Sequence, residues 1–408
     1  MLPIFHVTAN WDLKWLNYMK RILLIIYILA FLHPLVQAQT NRYKLDFTLS
    51  AKNFVDTIPI EYEDDQIYIP VEIDGKQYRF NLDTGCSQGL LYTDSPFRIG
   101  QKLGKMEVQD AHGHKDSIQA VRFPDFRLGN LIIHNYCGTL HRPNQEKRPY
   151  DAIIGFDLFN KGLCAKIDVQ RGWMILTDRK NLLRRENGHK WKYRLLRFVP
   201  HVKLTPYDRC SDEALFDTGS RRLYVMGRHS REVFSEEVPD FASQIEGQGF
   251  GSRSIGKFGA EESDDIYFLH LDRLMLGDYT FTDYHTLTTQ GYSRIGATLF
   301  SYGSLVILPH LKTMLFQPYA KGDTTLVGNT PTDIAFVPSP DGVKIGMVWQ
   351  GSRYYEQGFR SGDIILSING QAVSSLTDYK RYPFLIGRTY LIKVKRTDGR
   401  EEQILFTK

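Results

Sequence analysis

Tyr78-Arg79-Phe80-Asn81-Leu82-Asp83-Thr84-Gly85-Cys86-Ser87 and Glu213-Ala214-Leu215-Phe216-Asp217-Thr218-Gly219-Ser220 are two versions of one phrase. Each is a strand-forming run that ends on Asp-Thr-Gly. Each is followed, in the same order, by a second phrase. The first copy reads Ala152-Ile153-Ile154-Gly155-Phe156-Asp157-Leu158-Phe159, then Gly162. The second reads Ser293-Arg294-Ile295-Gly296-Ala297-Thr298-Leu299-Phe300, then Gly303. Asp83 stands 72 residues before Gly155, and Asp217 stands 79 before Gly296. A lone Asp-Thr-Gly arises by chance in roughly one chain in ten of this length. Two copies, each with its trailing phrase, mark an internal duplication.

Around these phrases the texture is that of strands. Asp74-Gly75 separates two apolar runs, a turn of the kind that closes a tight hairpin. Gly129-Asn130 and Gly277-Asp278 sit inside a second, matched pair of hairpins. A chain of 408 residues is too long for one ordinary core. The expectation is a mainly β protein with two duplicated lobes, 41–183 and 191–318, and a further domain over 331–408. The charged stretch 184–192 reads as the link between lobes, and 320–331, rich in Gly, Thr and Asp, as the link to the last domain.

Two carboxylates supplied by two copies of one loop suit acid–base chemistry. Like charges held close do not both ionise cheaply, so a pair sharing one proton offers a base and an acid together. Gly85 and Gly219 permit tight loops with close backbone approach. Thr84 and Thr218 carry hydroxyls able to tie the loops across the lobe junction.

On these motifs the chain resembles the retropepsin-like aspartic peptidases, with the two-fold unit fused in one polypeptide as in pepsin-like enzymes. The resemblance spans roughly residues 60–318. It implies closed β-barrel lobes, a cleft between them, a polypeptide substrate, no cofactor and no metal. Asp83 and Asp217 are the implied catalytic pair, supported by Thr84, Gly85, Thr218, Gly219 and Ser220. Two positions depart from the family pattern. Cys86 stands where Ala or Ser is usual, while Ser220 fits. In the family this hydroxyl supports the aspartate, so Asp217 is expected to be the better stabilised anion and Asp83 the holder of the shared proton. Arg294 replaces an apolar residue, which bears on how tightly the second lobe packs. The alternative reading is an exported peptide-binding protein on a peptidase scaffold with little or no catalysis.

Family members cover the substrate with a hairpin. Met106–Asp110 and Ser117–Val121 flank such a tip, with His112 and Gly113 at its end. The matching stretch of the second lobe is punctuated by Gly247, Gly249, Gly251, Gly256 and Gly259, and Phe250 is expected to cover a substrate side chain. His112 and His114 find no third metal ligand nearby and read as turn residues. The glycines precede no Gly-Lys-Ser/Thr and spell no GxGxxG, which excludes the nucleotide-loop reading. HExxH and GxSxG are also absent.

Residues 351–373, with Gly358, Gly362-Asp363-Ile364 and Asn369-Gly370-Gln371-Ala372-Val373, resemble the PDZ domains of bacterial periplasmic proteases. That implies a peptide ligand added as an extra strand. The stretch Ile334-Ala335-Phe336-Val337 lacks the glycine of a carboxylate-capturing loop, which argues against terminal-carboxylate binding.

At the N-terminus, Lys20 and Arg21 precede the apolar run Ile22–Leu32 and the small-residue site Val36-Gln37-Ala38. This is the order of a secretory leader, so 1–38 is expected to be a signal peptide, with Met19 as its true start, on a periplasmic or secreted protein. The run is too short for a stable membrane span, which needs about 20 residues. The formal charge is +5, without a lysine/arginine stripe, so nucleic acid is not an expected partner. Four cysteines allow three full pairings, and no CxxC suggests structural zinc. Fusion of both lobes in one chain points to a monomer.

Overall fold

The computed structural model describes residues 47–109, 114–143, 148–207, 210–252 and 262–408, together with the backbone of 255–256 and 259–260. The expected leader over 1–38 lies outside these residues, as do His112 and Gly113. The protein is mainly β. Among the described residues no helix is long and apolar enough to cross a membrane.

The first hairpin, Gln66–Ile73 with Lys76–Leu82, turns at Asp74 (φ 50°) and Gly75 (φ 75°). Two successive left-handed residues are what its tight turn demands. The end of the second strand, Phe80-Asn81-Leu82, is buried on both faces. The reason lies beside it: Ala152–Ile154 runs parallel, with Ala152 opposite Phe80 and Ile154 opposite Leu82. The second copy repeats this arrangement. There Arg294–Ile295 lies parallel to Cys210–Phe216, with Leu215 opposite Arg294 and Phe216 opposite Ile295. In each copy the trailing phrase therefore backs the strand that delivers the aspartate.

Six strands join the copies. Their order is His189–Leu196, Thr313–Pro318, Gly303–Leu308, Cys164–Asp168, Trp173–Thr177 and Val55–Pro59. Three come from each copy, in mirrored sequence, and the halves meet where Lys166 pairs with Val306. The charged stretch 184–192 is thus only partly a link. His189–Lys192 already belongs to a strand, and Trp191 is buried against Phe316, ring centroids 5.5 Å apart. Lysines on the outward face of a half-buried strand make its composition look like a loop, while the period-two alternation of Trp191 and Tyr193 reveals the strand. The second polar stretch, 320–331, is pinned in part as well: Thr324–Leu326 pairs with Tyr279–Thr289.

The C-terminal residues form a six-stranded sheet in which Ile334–Ser339 is an edge, followed by Gly342–Val348, Ile364–Ile368, Thr389–Lys395 and Glu401–Thr407. Short helices Arg353–Glu356 and Leu376–Arg381 accompany it. Asn369 (φ 49°) and Gly370 (φ 82°) make the expected tight turn.

This sheet is seated on the glycine-rich strand Ile245–Gly251. The Ser252 N–H donates to the Gly346 carbonyl (2.8 Å), and the Gln350 N–H donates to Gln248 (2.9 Å). Gly249 and Trp349 form an antiparallel bridge. Trp349 stacks on Phe268, and Met347 is buried with Val225, Ile266, Phe268 and Leu287. A side chain at Gly247 would strike the Trp349 ring, one at Gly249 the Val348 carbonyl, and one at Gly251 the Gly346 carbonyl. These three glycines, which punctuate the stretch expected to match the first copy's covering hairpin, admit a second backbone at close range. Replacing Gly346 by Ala would place Cβ against the Ser252 carbonyl. The expected outcome is faster hydrogen exchange at the Ser252 and Gln350 amides, with protection in the six-strand sheet unchanged.

Candidate active site

Both Asp-Thr-Gly loops leave their strands in the same way. The Asp83 N–H donates to the Ile154 carbonyl (3.0 Å), and the Asp217 N–H donates to Ile295 (2.8 Å). Below, the Phe156 N–H reaches the Cys86 carbonyl, and the Ala297 N–H reaches Ser220, both at 2.7 Å. Gly155 and Gly296 pass so close to these loop carbonyls that a side chain at either would collide with main chain. The trailing glycines are thus a packing requirement of the loops. Arg294 does not loosen the second copy, whose anchoring bonds match the first.

The loops grip each other through their threonines. Thr84 Oγ1 donates to the Phe216 carbonyl (2.7 Å) and accepts from the Thr218 N–H (3.0 Å). Thr218 Oγ1 donates to the Leu82 carbonyl (2.5 Å) and accepts from the Thr84 N–H (3.0 Å). Both threonines are fully buried. Four polar groups are satisfied reciprocally where water does not reach.

This grip brings Asp83 and Asp217 together, and their carboxyl groups share a hydrogen bond. Gly85 and Gly219 are required at this point. A Cβ on Gly85 would lie 2.5 Å from Asp217 Oδ1, and one on Gly219 would lie 2.6 Å from Asp83 Oδ2. The Gly85 N–H donates to Asp83 Oδ1 (2.9 Å), and the Gly219 N–H donates to Asp217 Oδ1 (3.0 Å). Burial first, and then the neighbouring Asp83 charge, push the Asp217 carboxyl up to about 7, while the Arg294 cation opposes them.

Asp217 thus leans toward the protonated form, where Ser220 had suggested the better stabilised anion, and the shared proton belongs to the pair. The physical reason is twofold. Asp217 is the more deeply buried of the pair. Among the described residues it receives no hydrogen bond from the Ser220 hydroxyl, whereas the Cys86 thiol donates to Asp83 Oδ2 at 3.2 Å. Arg294 is itself buried; Nη2 donates to Thr289 Oγ1 (3.4 Å), while among the described residues Nε makes no hydrogen bond.

Several supports carried no signature in the sequence. Gln66 Nε2 reaches across to the carbonyls of Thr218 and Gly219, both at 3.2 Å, and Asn81 Nδ2 donates to Gln66 Oε1 (3.4 Å). Tyr62 Oη donates to the Ala297 carbonyl (3.0 Å) and Thr298 Oγ1 to Asp65 (2.9 Å), so the segment 61–66 clamps the second copy. Behind the first loop the Tyr136 hydroxyl donates to Asp157 (2.6 Å), whose carboxyl burial pushes up to about 7. Tyr62, Gln66 and Asn81 lie within strands, where neither periodicity nor motif marks them, whereas Asp157 and Thr298 lie on the short helices of the trailing phrases.

Of the expected covering residues, the flanks of the first hairpin are present as Lys102–Gln109 and Lys115–Arg122. Gln109 Nε2 at its end donates to Tyr292 Oη of the second copy at 3.3 Å. Phe250 is 54% exposed, on a strand whose glycines face the C-terminal sheet. No disulfide joins the four cysteines.

No protein-family model matches the chain, and no curated protein sequence matches it. Among solved structures it is similar to the aspartic proteinase from Irpex lacteus, at 11% identity over 65% of this chain and 97% of that chain, with a TM-score of 0.42.

Thr84→Val and Thr218→Val each strand buried partners that the hydroxyl now satisfies. Each variant should unfold about 1–3 kcal/mol more easily than wild type in denaturant titrations, and the double variant should lose less than the sum, because the two side chains belong to one network.

Proposed function

We propose that this chain is an exported aspartic endopeptidase that hydrolyses polypeptides with Asp83 and Asp217 as its catalytic pair. The observation that carries this reading is the pair itself: two carboxyls on duplicated loops, hydrogen-bonded to each other, one of them kept protonated near neutral pH. In this reading a water sits against both. The ionised member of the pair takes a proton from the water as the water oxygen bonds to the scissile carbonyl carbon, and the protonated member gives its proton to the carbonyl oxygen. Return of a proton through the pair to the amide nitrogen lets the C–N bond break, leaving a carboxylic acid and an amine. Gly85 and Gly219 keep the space between the carboxyls open, and the threonine grip fixes their separation. The pair titrates as one unit.

The C-terminal sheet suits a PDZ-like peptide binder. Its edge strand Ile334–Ser339 lies beside the helix Leu376–Arg381, with Phe336 packed on Tyr379 at 4.4 Å. A peptide added to that edge lies one strand away from the strand bonded to Ile245–Gly251. This arrangement suits delivery of substrate or gating of the second hairpin by a bound peptide. Since one chain supplies both loops, the active form in this reading is a monomer.

Asp83→Ala and Asp217→Ala should each abolish cleavage of a casein-type substrate while circular dichroism shows a retained fold; turnover surviving either change refutes the assignment. A protein that binds a statine-type transition-state mimic no better than a plain peptide, and cleaves nothing, would be a binding protein on this scaffold.

The pH dependence has a definite sign. Activity needs one proton on the pair, so it should fall as pH rises through about 7. The same burial affects stability. With a folded value above the ordinary carboxylate value of about 4, the contribution of Asp217 is complete below about pH 4 and lost as pH rises through about 7. Asp217→Asn should accordingly gain on wild type across that window in urea midpoints.

A further inference from the structure

Away from the aspartates, two histidines and two carboxylates meet on the outer strands of the second copy. His270 and His285 are direct cross-strand partners on Asp264–Leu276 and Tyr279–Thr289. Their rings stack nearly parallel, centroids 4.3 Å apart at 11°. Glu246, on the glycine-rich strand, places its carboxylate 2.8 Å from His285 Nδ1. Asp283 Oδ1 lies 2.8 Å from His270 Nε2 and 4.0 Å from His285 Nε2. One ligand atom each from Glu246, His270 and His285 lies within 4.8 Å of the others.

Two further features hold this group in place. The Asn329 side chain clamps His285 on both sides, accepting from its N–H (2.9 Å) and donating to its carbonyl (2.8 Å). The Gly328 N–H donates to the Asp283 carbonyl (2.9 Å). Glu246 and His285 are mostly withdrawn from solvent, with side-chain exposures of 21% and 17%.

We propose that Glu246, His270 and His285 form a binding site for a divalent transition-metal ion, with zinc as the best match. Two imidazoles and a carboxylate are a borderline-soft donor set, suited to zinc rather than to magnesium or calcium, which demand oxygen. Three protein ligands leave a fourth position for water. Asp283, on His270 Nε2, is the outer carboxylate that fixes the tautomer and orients the ring. Binding replaces the direct contact now made between Glu246 and His285 Nδ1.

The position gives the ion a consequence. Glu246 immediately precedes Gly247, which packs on Trp349 of the C-terminal sheet, and Trp349 stacks on Phe268. Residues 324–329, which run on to that sheet, lie along the histidine strand. A metal joining Glu246 to His270 and His285 fixes the seat on which the C-terminal sheet rests. This inference is independent of the peptidase reading, because it uses none of the residues of the aspartate site.

The test is titration of the chelator-treated full chain with zinc chloride by calorimetry, and with cobalt chloride by visible absorption. Wild type should bind about one ion per chain, raise its melting temperature with zinc, and give the intense visible bands of low-coordinate cobalt. His270→Ala with His285→Gln should remove all three responses. Glu246→Gln, which keeps the size and hydrogen-bonding capacity of the side chain, should weaken binding at least about tenfold and serves should the double variant fail to fold. A variant replacing His112 and His114 by Ala should bind as wild type. Absence of binding to wild type, binding unaffected by Glu246→Gln, or loss of binding only on removing His112 and His114 would overturn the proposal.

Discussion

The crossing of Thr84 and Thr218 is the constraint on which the rest of the site depends. Each hydroxyl is buried and each has both its donor and its acceptor role filled by main chain of the opposite copy. Such bonds are modest in net worth, but an unfilled partner in this position is costly. The loops therefore move as a unit or not at all. That rigidity lets two carboxyls remain in hydrogen-bond contact although each disfavours ionisation of the other. Without it, repulsion in a poorly solvated site would be relieved by separation and by water entry, and Asp217 would have no reason to hold a proton near pH 7.

The loops need a foundation that does not shear, and the six-strand sheet supplies it. Its mirrored order places the junction of the two copies at a continuous antiparallel ladder, Ala165 to Ile307 through Ile167 to Leu305, in the middle of the sheet. Hydrophobic side chains from both copies are buried along it. Relative rotation of the copies would break main-chain hydrogen bonds, so movement is directed to the outlying hairpins. The bond from Gln109 to Tyr292 is exposed.

What the sequence revealed, and what it hid, follows from whether a residue acts through the chain next to it. The Asp-Thr-Gly loops, the hairpin at Asp74-Gly75 and the paired Gly155 and Gly296 could be read because their requirements are local: a left-handed turn, a close backbone, a short strand. Gln66, Tyr62 and Asp65 were hidden because each works across more than 150 residues of sequence, and a polar residue on a strand looks the same whether it faces water or a distant carbonyl. The surroundings of Asp217 were hidden for a related reason. Ser220 promised a hydroxyl for Asp217, but burial is set by the whole fold and outweighs a single neighbour. His270 and His285 lie 15 positions apart and became neighbours only through the register of a long hairpin.

The glycines of Ile245–Gly251 show the same lesson in a form that bears on function. A run of glycines in a strand weakens it, since each loses more backbone freedom on ordering than any other residue. Read alone, the run suggests mobility. In the structure the cost is offset by contacts that only glycine allows: two main-chain hydrogen bonds to the C-terminal sheet, the bridge at Gly249 and Trp349, and a methionine buried in the core of the second copy. The strand is thus ordered by its partner rather than by its own sequence. An element of that kind responds to whatever strengthens or loosens the partner, whether a peptide on the edge at Ile334–Ser339 or a ligand gripping Glu246. The strand Ile245–Gly251, paired in turn with Asp264–Leu276, is consequently where the C-terminal sheet is joined to the second copy.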